Sequence, residues 1–372
     1  MTYCNPFMFG VATAVLLSGC GASEPTPNPS GGGGSVSGAS AGGGAMQMPQ
    51  GGGTSSPTAG TGGGGVGGLG SGGSGGSGGG GGAGGTTPEP QGPVKHRFLS
   101  GIAQGGPVAI VSDAGVIEWE VQEAGEANDV WLLPNGNVVH AYKFGARELT
   151  PAKQVVWDHP AAPGAETHSC QPLPGGMYLL GEAHPGGLAK LLEVDNTGTV
   201  KKTVTIQAPE TQLGAHSQFR EVRKTPSGTY IATYIDLNKA REFDAQGALV
   251  REFPCGAFVG VRLPDGNTLI ACGDGHRVIE VDAQNNIVWE VGEKEIPGNQ
   301  LAFAAGVHRL PNGNTVIANW PGHDLSLAHQ PQVFELTREK EVVWEVKNPA
   351  LKMISTIQIL DANVEVDGRI LR

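Results

Sequence analysis

Short apolar segments alternate with tight polar turns along the chain beyond residue 97. The clearest pattern has the runs 261–271, 277–282 and 286–291, which read VRLPDGNTLIA, RVIEVD and NIVWEV. Residues 307–346 repeat the same order of runs and turns, again with a tryptophan in the last run. Runs rich in Val and Ile and bounded by Gly, Asn and Asp predict strands. We therefore predict a repeat protein whose unit is a sheet of four antiparallel strands.

The first hairpin of each unit is marked by a proline and a glycine two residues later. The five turn prolines are Pro134, Pro174, Pro226, Pro264 and Pro311. They lie about 40–50 residues apart, a spacing typical of propeller blades. Because Asn-Gly and Asp-Gly tolerate positive φ at both residues, we expect a two-residue type I′ turn after the proline.

The two ends of the chain together supply a further unit. Residues 98–121 align without gaps onto 268–291, so the repeat begins at a second strand, and residues 354–361 (ISTIQILD) match the missing first strand. We therefore predict an all-β, six-bladed β-propeller of four-stranded blades. Pairing of the N- and C-terminal strands closes it and leaves no exposed sheet edge. Seven or eight blades is the alternative if a degenerate unit is present, and residues 363–372 either add a strand or lie loose.

Composition separates the N-terminal quarter from this repeat. Residues 21–92 consist mostly of Gly, Ser, Thr, Pro and Ala, with Glu24 and Glu89 as their only charged residues. Such a segment buries too little apolar surface to offset its ordering entropy, so we predict a disordered tether. The predicted organisation is a signal peptide at 1–19, a lipidated cysteine and linker at 20–94, and the propeller domain at 95–372.

The apolar run 7–17 is too short to span a bilayer but suits the central region of a signal peptide. It ends in Leu17-Ser18-Gly19-Cys20, which resembles a bacterial lipobox, although residues 1–6 contain no Lys or Arg. The resemblance implies cleavage before Cys20 and acylation of that cysteine, and the glycine after it favours the outer membrane. An ordinary signal peptide with a chance cysteine is the alternative.

Charge limits the partners that the domain can have. The net charge is −11, and no run of Lys or Arg occurs, so nucleic acid is excluded as an expected partner. We expect a monomer that reaches the membrane through its lipid anchor and binds a ligand or protein on the loop face of the propeller.

The repeat pattern LPNGNTVIA…VFEL…VVWEV resembles bacterial propellers of the PQQ-repeat and arylsulfotransferase-like kind. The resemblance implies that a histidine at the channel mouth accepts sulfate while an arginine binds it. His168 or His216 would be the nucleophile and Arg220 the anion-binding group. We expect no cofactor, because quinone-dependent propellers of this kind have eight blades.

In a propeller, the loops that enter the first strands and the loops between second and third strands lie on one face. The candidate ligand-binding residues on that face are Asn128, His184, Asp236, Trp320 and His323. We expect no metal site, since neither HxH nor HExxH spacing occurs.

Cys255 and Cys272 lie near the two ends of one hairpin, 17 residues apart. They either form a disulfide across its open end or remain buried free thiols, and Cys170 is expected to be a small buried apolar residue.

These observations favour a lipid-anchored extracytoplasmic binding or scaffold module over an enzyme. A carbohydrate, a peptide or a protein would be the partner. The alternative is an arylsulfotransferase-like or other enzyme with a His/Arg site at the central channel mouth.

Overall fold

The computed structural model describes residues 95–372 except 104, 124, 209, 211–213 and 362. The predicted signal peptide (1–19), the lipidated Cys20 and the linker to residue 94 therefore lie outside the described residues. Among the residues described, no helix is long and apolar enough to cross a membrane.

The described residues form six four-stranded antiparallel sheets, which confirms the six-bladed propeller. Blade 1 comprises β1 (Phe98–Ile102), β2 (Pro107–Val111), β3 (Ile117–Gln122) and β24 (Ile354–Ile359). Blade 2 comprises β4 (Ala127–Leu132), β5 (Val138–Tyr142), β6 (Gly145–Leu149) and β7 (Val155–Pro160). Blade 3 comprises β8 (Glu166–Leu173), β9 (Met177–His184), β10 (Leu188–Asp195) and β11 (Val200–Gln207).

The remaining three blades follow in chain order. Blade 4 comprises β12 (Val222–Lys224), β13 (Tyr230–Tyr234), β14 (Lys239–Phe243) and β15 (Leu249–Glu252). Blade 5 comprises β16 (Gly260–Arg262), β17 (Thr268–Ala271), β18 (Arg277–Val281) and β19 (Ile287–Gly292). Blade 6 comprises β20 (Ala304–Arg309), β21 (Thr315–Asn319), β22 (Val333–Leu336) and β23 (Val342–Val346). One α-helical turn, α1 (Ala215–Gln218), precedes blade 4, and a 3₁₀-helical turn, Leu325–Leu327, lies between β21 and β22.

Blade 1 closes the ring with strands from both ends of the propeller. β24 pairs antiparallel with β1, so that Phe98 lies opposite Ile359 and Ser100 opposite Ile357. The same β24 also contacts the first strands of both neighbouring blades, β4 and β20. The predicted closure is thus confirmed, and the innermost strand position of blade 1 is filled by the C-terminal strand.

The first hairpin turn differs from the predicted type. Gly136 N donates to Leu133 O, and Leu133 N donates to Asn137 O, so three residues rather than two form the loop. Only Gly136 has a positive φ, of 84°. Proline fixes φ near −65°, which suits the first central position of a type I turn, and the glycine then takes the left-handed position. Pro264 and Pro311 start turns with the same backbone bonds.

Outer-strand side chains connect neighbouring blades. They donate hydrogen bonds to the backbone of the turn in the next blade: Trp119 Nε1 to Pro151 O, Trp157 Nε1 to Asp195 O, Arg251 Nη2 to Asp282 O and Trp289 Nε1 to Arg338 O. Arg251 stands where four other blades have tryptophan, and it makes the contact that three of those tryptophans make. A hydrogen-bond donor on the outer strand, aromatic or not, therefore joins four of the six blades to the next.

An extra residue interrupts the pairing of the innermost strands near one end of the channel. In β4 and β8, register shifts leave Asn128 and His168 without a paired residue on the neighbouring strand. In β24 the same shift leaves out Ser355. In blade 5, Ala257 N and Phe258 N both donate to Ala271 O, which is the same kind of bulge. A bulge redirects a side chain out of the regular alternation of the sheet.

The C-terminal residues lie at the opposite end of the channel, near the first-hairpin turns. They add no full strand, but Leu371 bridges Arg309 through a 2.8 Å backbone bond from Arg309 N. The side chain of Arg372 is buried and lies 3.3 Å from Asp129 Oδ1.

Candidate functional site

A cavity of about 310 Å³ occupies the bulged end of the channel. Its polar lining comes from blades 2 and 4: Glu126, Asn128, His216, Arg220 and Asp236. Its aromatic lining comes from blades 5 and 6: Phe258, Phe303, Trp320 and His323. Because blades follow one another around the ring, one side of the cavity is charged and the other aromatic. Asp274 of blade 5 and Ser355 of blade 1 add polar groups to the wall, and Ala103, Ser217 and Ile235 also line it.

The aromatic side is packed edge to face. The ring of Phe303 lies 5.1 Å from that of Trp320 and 5.3 Å from that of His323. His323 Nδ1 also lies 2.8 Å from Asp274 Oδ1. These contacts hold the side chains in fixed orientations, which lowers the entropy lost when a ligand packs against them.

Beside the charged side, two histidines share one carboxylate. Glu166 Oε2 lies 2.9 Å from His216 Nδ1 and 3.2 Å from His168 Nε2. The two rings are edge to face, with 5.6 Å between their centroids. His168 is fully buried and lies behind the cavity wall, whereas the side chain of His216 is 41% exposed and lines it.

The environment fixes the charge of this cluster. Burial, together with the nearby Arg220, lowers the pKa of His168 to about 4, so the imidazole is neutral at neutral pH. Burial alone would raise the pKa of Glu166, but contacts from His168, His216 and Lys143 outweigh it and lower that pKa to about 2. Glu166 is therefore ionised at all physiological pH values.

Arg220 is held by backbone carbonyls. Its Nη1 donates to the carbonyl oxygens of His216 and of Phe219, the latter at 3.0 Å. Burial lowers the pKa of Arg220, and the charges of Glu126, Glu166 and Asp236 oppose that shift. The guanidinium thus joins α1 to the cavity wall and offsets part of its negative charge.

The structure brings most of the predicted site residues together. Asn128, His216, Arg220, Asp236, Trp320 and His323 all line the one cavity. His168 lies directly behind it. His184 is not among the described lining residues, and its Nε2 lies 3.3 Å from Glu182 Oε2.

Two acidic residues of the site are not among the residues predicted from the sequence. Glu126 precedes Asn128 by two positions, and Glu166 precedes His168 by the same interval. Alternate residues of an extended segment share a face, so this spacing could have identified both carboxylates as neighbours of the channel mouth.

The cysteines lie away from the cavity lining. The structure joins Cys255 and Cys272 in a disulfide, with 5.4 Å between their Cα atoms. Cys170 is a buried free thiol.

Comparison with solved structures gives a related protein. A protein of unknown function from Bacteroides caccae is 31% identical, with a TM-score of 0.65; the match covers 71% of this chain and 98% of that one. A catalytically inactive variant of virginiamycin B lyase from Staphylococcus aureus is 12% identical, with a TM-score of 0.47, over 68% of this chain and 84% of that one. No curated protein matches the chain.

A sequence family accounts for most of the propeller. The model of the Mal s 1 allergenic protein-like family matches residues 118–341, which run from β3 of blade 1 to the last turn of blade 6. The chain belongs to the Mal s 1 allergenic protein-like family.

Proposed function

We propose that this protein is a lipid-anchored extracytoplasmic binding module that holds a compact, positively charged ligand in the channel-mouth cavity. An amino sugar or the basic side chain of a peptide has the required chemistry. The observation that carries the proposal is the lining itself, in which carboxylates and aromatic rings lie on one small cavity.

The charges of the lining favour a cation. Three carboxylates, those of Glu126, Asp236 and Asp274, are set against the single guanidinium of Arg220. Asp236 Oδ1 is buried and makes no hydrogen bond within the described part of the chain, and burial raises the pKa of this carboxyl group. An ammonium group nearby would supply the missing partner and favour the ionised form.

The aromatic side favours the same ligand. Cations are attracted to aromatic faces, and the apolar part of a sugar ring or side chain packs against them. Ligand pockets range from about 300 to 1,000 Å³, so this cavity of about 310 Å³ suits one ring or one side chain.

The predicted N-terminus would keep the site near a membrane. We propose acylation of Cys20 and an outer-membrane location, because several acyl chains give stable anchoring. A flexible linker as long as residues 21–92 has a root-mean-square reach of about 50 Å. The propeller would then sample ligands within that distance of the surface.

The experiment compares ligand pairs that differ only in charge. Binding of glucosamine and glucose, and of lysine amide and norleucine amide, is measured calorimetrically on the full chain. We expect the charged member of at least one pair to bind at least tenfold more tightly, and Asp236→Asn to abolish that preference. Glu339→Gln removes the same charge from an exposed turn and is the control. Equal binding within both pairs, or an unaffected preference in Asp236→Asn, overturns the proposal.

A second candidate is an arylsulfotransferase-like enzyme. The approach of His168 to His216 and the contact of Arg220 with the His216 carbonyl favour it. The three lining carboxylates oppose it, since they repel a sulfate ester. Sulfuryl transfer from 4-nitrophenyl sulfate to a phenol, lost in His216→Ala, would support this candidate; an inactive wild-type protein rules it out.

A further inference from the structure

We propose that Glu166, His168 and His216 form a binding site for a divalent transition-metal ion of the Zn²⁺ class at the edge of the cavity. The site goes beyond the proposed ligand binding and does not depend on it. Its residues come from β8 and α1, two segments far apart in the sequence.

The three side chains have the spacing that such an ion needs. One donor atom from each lies within 4.8 Å of the others. Two of the separations, 2.9 Å and 3.2 Å from Glu166 Oε2, are already close to the value of about 3.3 Å expected between neighbouring ligands of tetrahedral zinc. Two imidazole nitrogens and one carboxylate oxygen are a ligand set that zinc accepts.

His168 offers an atom that lacks a partner. Its side chain is fully buried, and its Nε2 makes no hydrogen bond within the described residues although Glu166 Oε2 is near. Buried polar atoms normally have a partner. A metal ion placed between Nε2 and the carboxylate would provide one.

The surrounding groups orient the donors. Lys143 Nζ lies 3.2 Å from Glu166 Oε1, which leaves Oε2 for the ion. Glu126 Oε1 lies 3.4 Å from His216 Nε2, so Nδ1 of that ring can bind the ion while Nε2–H faces a carboxylate. A carboxylate behind a metal-bound histidine is the common arrangement around protein zinc ions.

Metal binding requires one proton to move. Asn128 Nδ2 lies 3.0 Å from His168 Nδ1 and donates to it, so the proton of the neutral ring is on Nε2. When the ion takes Nε2, this proton passes to Nδ1. The amide of Asn128 then turns to present its oxygen to Nδ1–H and gives up the 2.8 Å bond from its Nδ2 to Glu126 Oε2, and no net proton is released from His168.

The fourth position of the ion would face the cavity. His216 is the ligand that lines the cavity, whereas His168 is enclosed behind it. Three protein ligands with one open position is the arrangement of zinc sites that bind an exchangeable group. Water or an oxygen atom of a bound molecule would occupy that position.

The test uses the tag-free full chain, freed of metal with a chelator and titrated with Co²⁺, whose visible absorption reports nitrogen and oxygen ligands in low coordination. We expect one Co²⁺ per chain, displaced by one equivalent of Zn²⁺. His216→Ala and Glu166→Gln should each weaken binding at least tenfold, with unchanged circular dichroism. Because His216 is partly exposed, its variant should fold even if one at His168 does not.

His329→Ala is the control, since it removes one imidazole at an exposed position that is not part of the described cavity lining. It should bind Co²⁺ as the wild type does. Absence of a Co²⁺ spectrum in the wild type overturns the proposal, and so does an equal loss of affinity in His329→Ala and His216→Ala. The assay contains metal alone, so its outcome is independent of the ligand experiments above.

Discussion

Arg223 holds Asp129 through two hydrogen bonds, from Nη1 to Oδ2 at 2.8 Å and from Nη2 to Oδ1 at 3.0 Å. The two side chains belong to the innermost strands of blades 4 and 2 and are both buried. Arg372 approaches the same carboxylate from the C-terminal residues. Arg223 also contacts the buried carboxylate of Glu221, whereas Asp129 is the carboxylate that both guanidinium groups share.

Removing this carboxylate should destabilise the propeller strongly. Asp129→Asn leaves Arg223 and Arg372 without their shared counter-charge, and breaking a buried pair costs about 3–5 kcal/mol. Urea unfolding monitored by fluorescence measures the loss. Glu118→Gln, which breaks the exposed pair with Arg97, should change stability by less than about 1 kcal/mol. A similar small change for Asp129→Asn would contradict the role assigned to it.

Acid should destabilise the protein through His308. Burial, and then the charges of Arg372 and His96, lower the pKa of His308 to about 3 in the folded state, against about 6.5 in an unfolded chain. The folded state therefore binds fewer protons between these values. The contribution of this lowered pKa to the free energy of unfolding is complete above pH 6.5. It is lost as the pH falls towards 3, by up to several kcal/mol.

His308→Gln isolates this effect. Glutamine keeps a neutral acceptor for the Ile359 N–H that His308 Nδ1 now accepts. The variant should lose less stability than the wild type between pH 6.5 and 4.5 in urea titrations, while His329→Gln, at an exposed site, should follow the wild type. Parallel curves for His308→Gln and the wild type would exclude His308 as the titrating group.

The disulfide should contribute measurable stability. A bond that closes a loop of about 17 residues contributes roughly 3 kcal/mol by chain entropy. Peptide mapping without reduction should yield a linked fragment containing Cys255 and Cys272. Reduction should expose two additional thiols in denaturant and lower the unfolding midpoint. An unlinked pair in protein from an oxidising compartment would show that these cysteines are free thiols.

Trp289 should stabilise the junction of blades 5 and 6. Trp289→Phe keeps an aromatic ring but removes the 2.8 Å bond from Nε1 to Arg338 O, with an expected loss of about 1 kcal/mol or more. Trp119→Phe removes the equivalent, more exposed bond to Pro151 O and should have a smaller effect. Thermal unfolding of the two variants makes the comparison, and an equal loss would show that exposure does not matter at this position.

The blades could be predicted from the sequence because each strand has its own apolar pattern and the first turn of a unit is marked by a proline and a glycine. The split blade followed from the gap-free alignment of 98–121 onto 268–291, which is a local property of the chain. The turn type was mispredicted because Asn-Gly was given the central positions, whereas the rigid φ of Pro134 makes proline the first of them.

The site was harder to predict because it depends on side-chain direction. Of the residues predicted for the channel mouth, Asn128, Arg220 and Asp236 line the cavity, whereas His168 lies behind it. His184 was predicted to bind ligand because of its position in a loop of that face. In the structure it is the last residue of β9, and its side chain lies beside that of Glu182. The pairing of Glu166 with His216 joins two segments 50 residues apart, and no periodicity in one chain segment records such a contact.

Most strand residues both specify the pairing of their sheet and present a side chain to their surroundings. At the channel mouth the bulges separate these two roles. Asn128, His168 and Ser355 are left out of the ladder, so their side chains carry no share of the alternating pattern that specifies each sheet. Exchange of one such residue therefore leaves the strand pattern of its blade intact, although Asn128 Nδ2 lies 3.0 Å from His168 Nδ1 and joins two of these positions. The polar groups at the channel mouth and the pairing of the strands thus depend on different residues, so that the chemistry of the channel mouth is separable from the folding of the sheets.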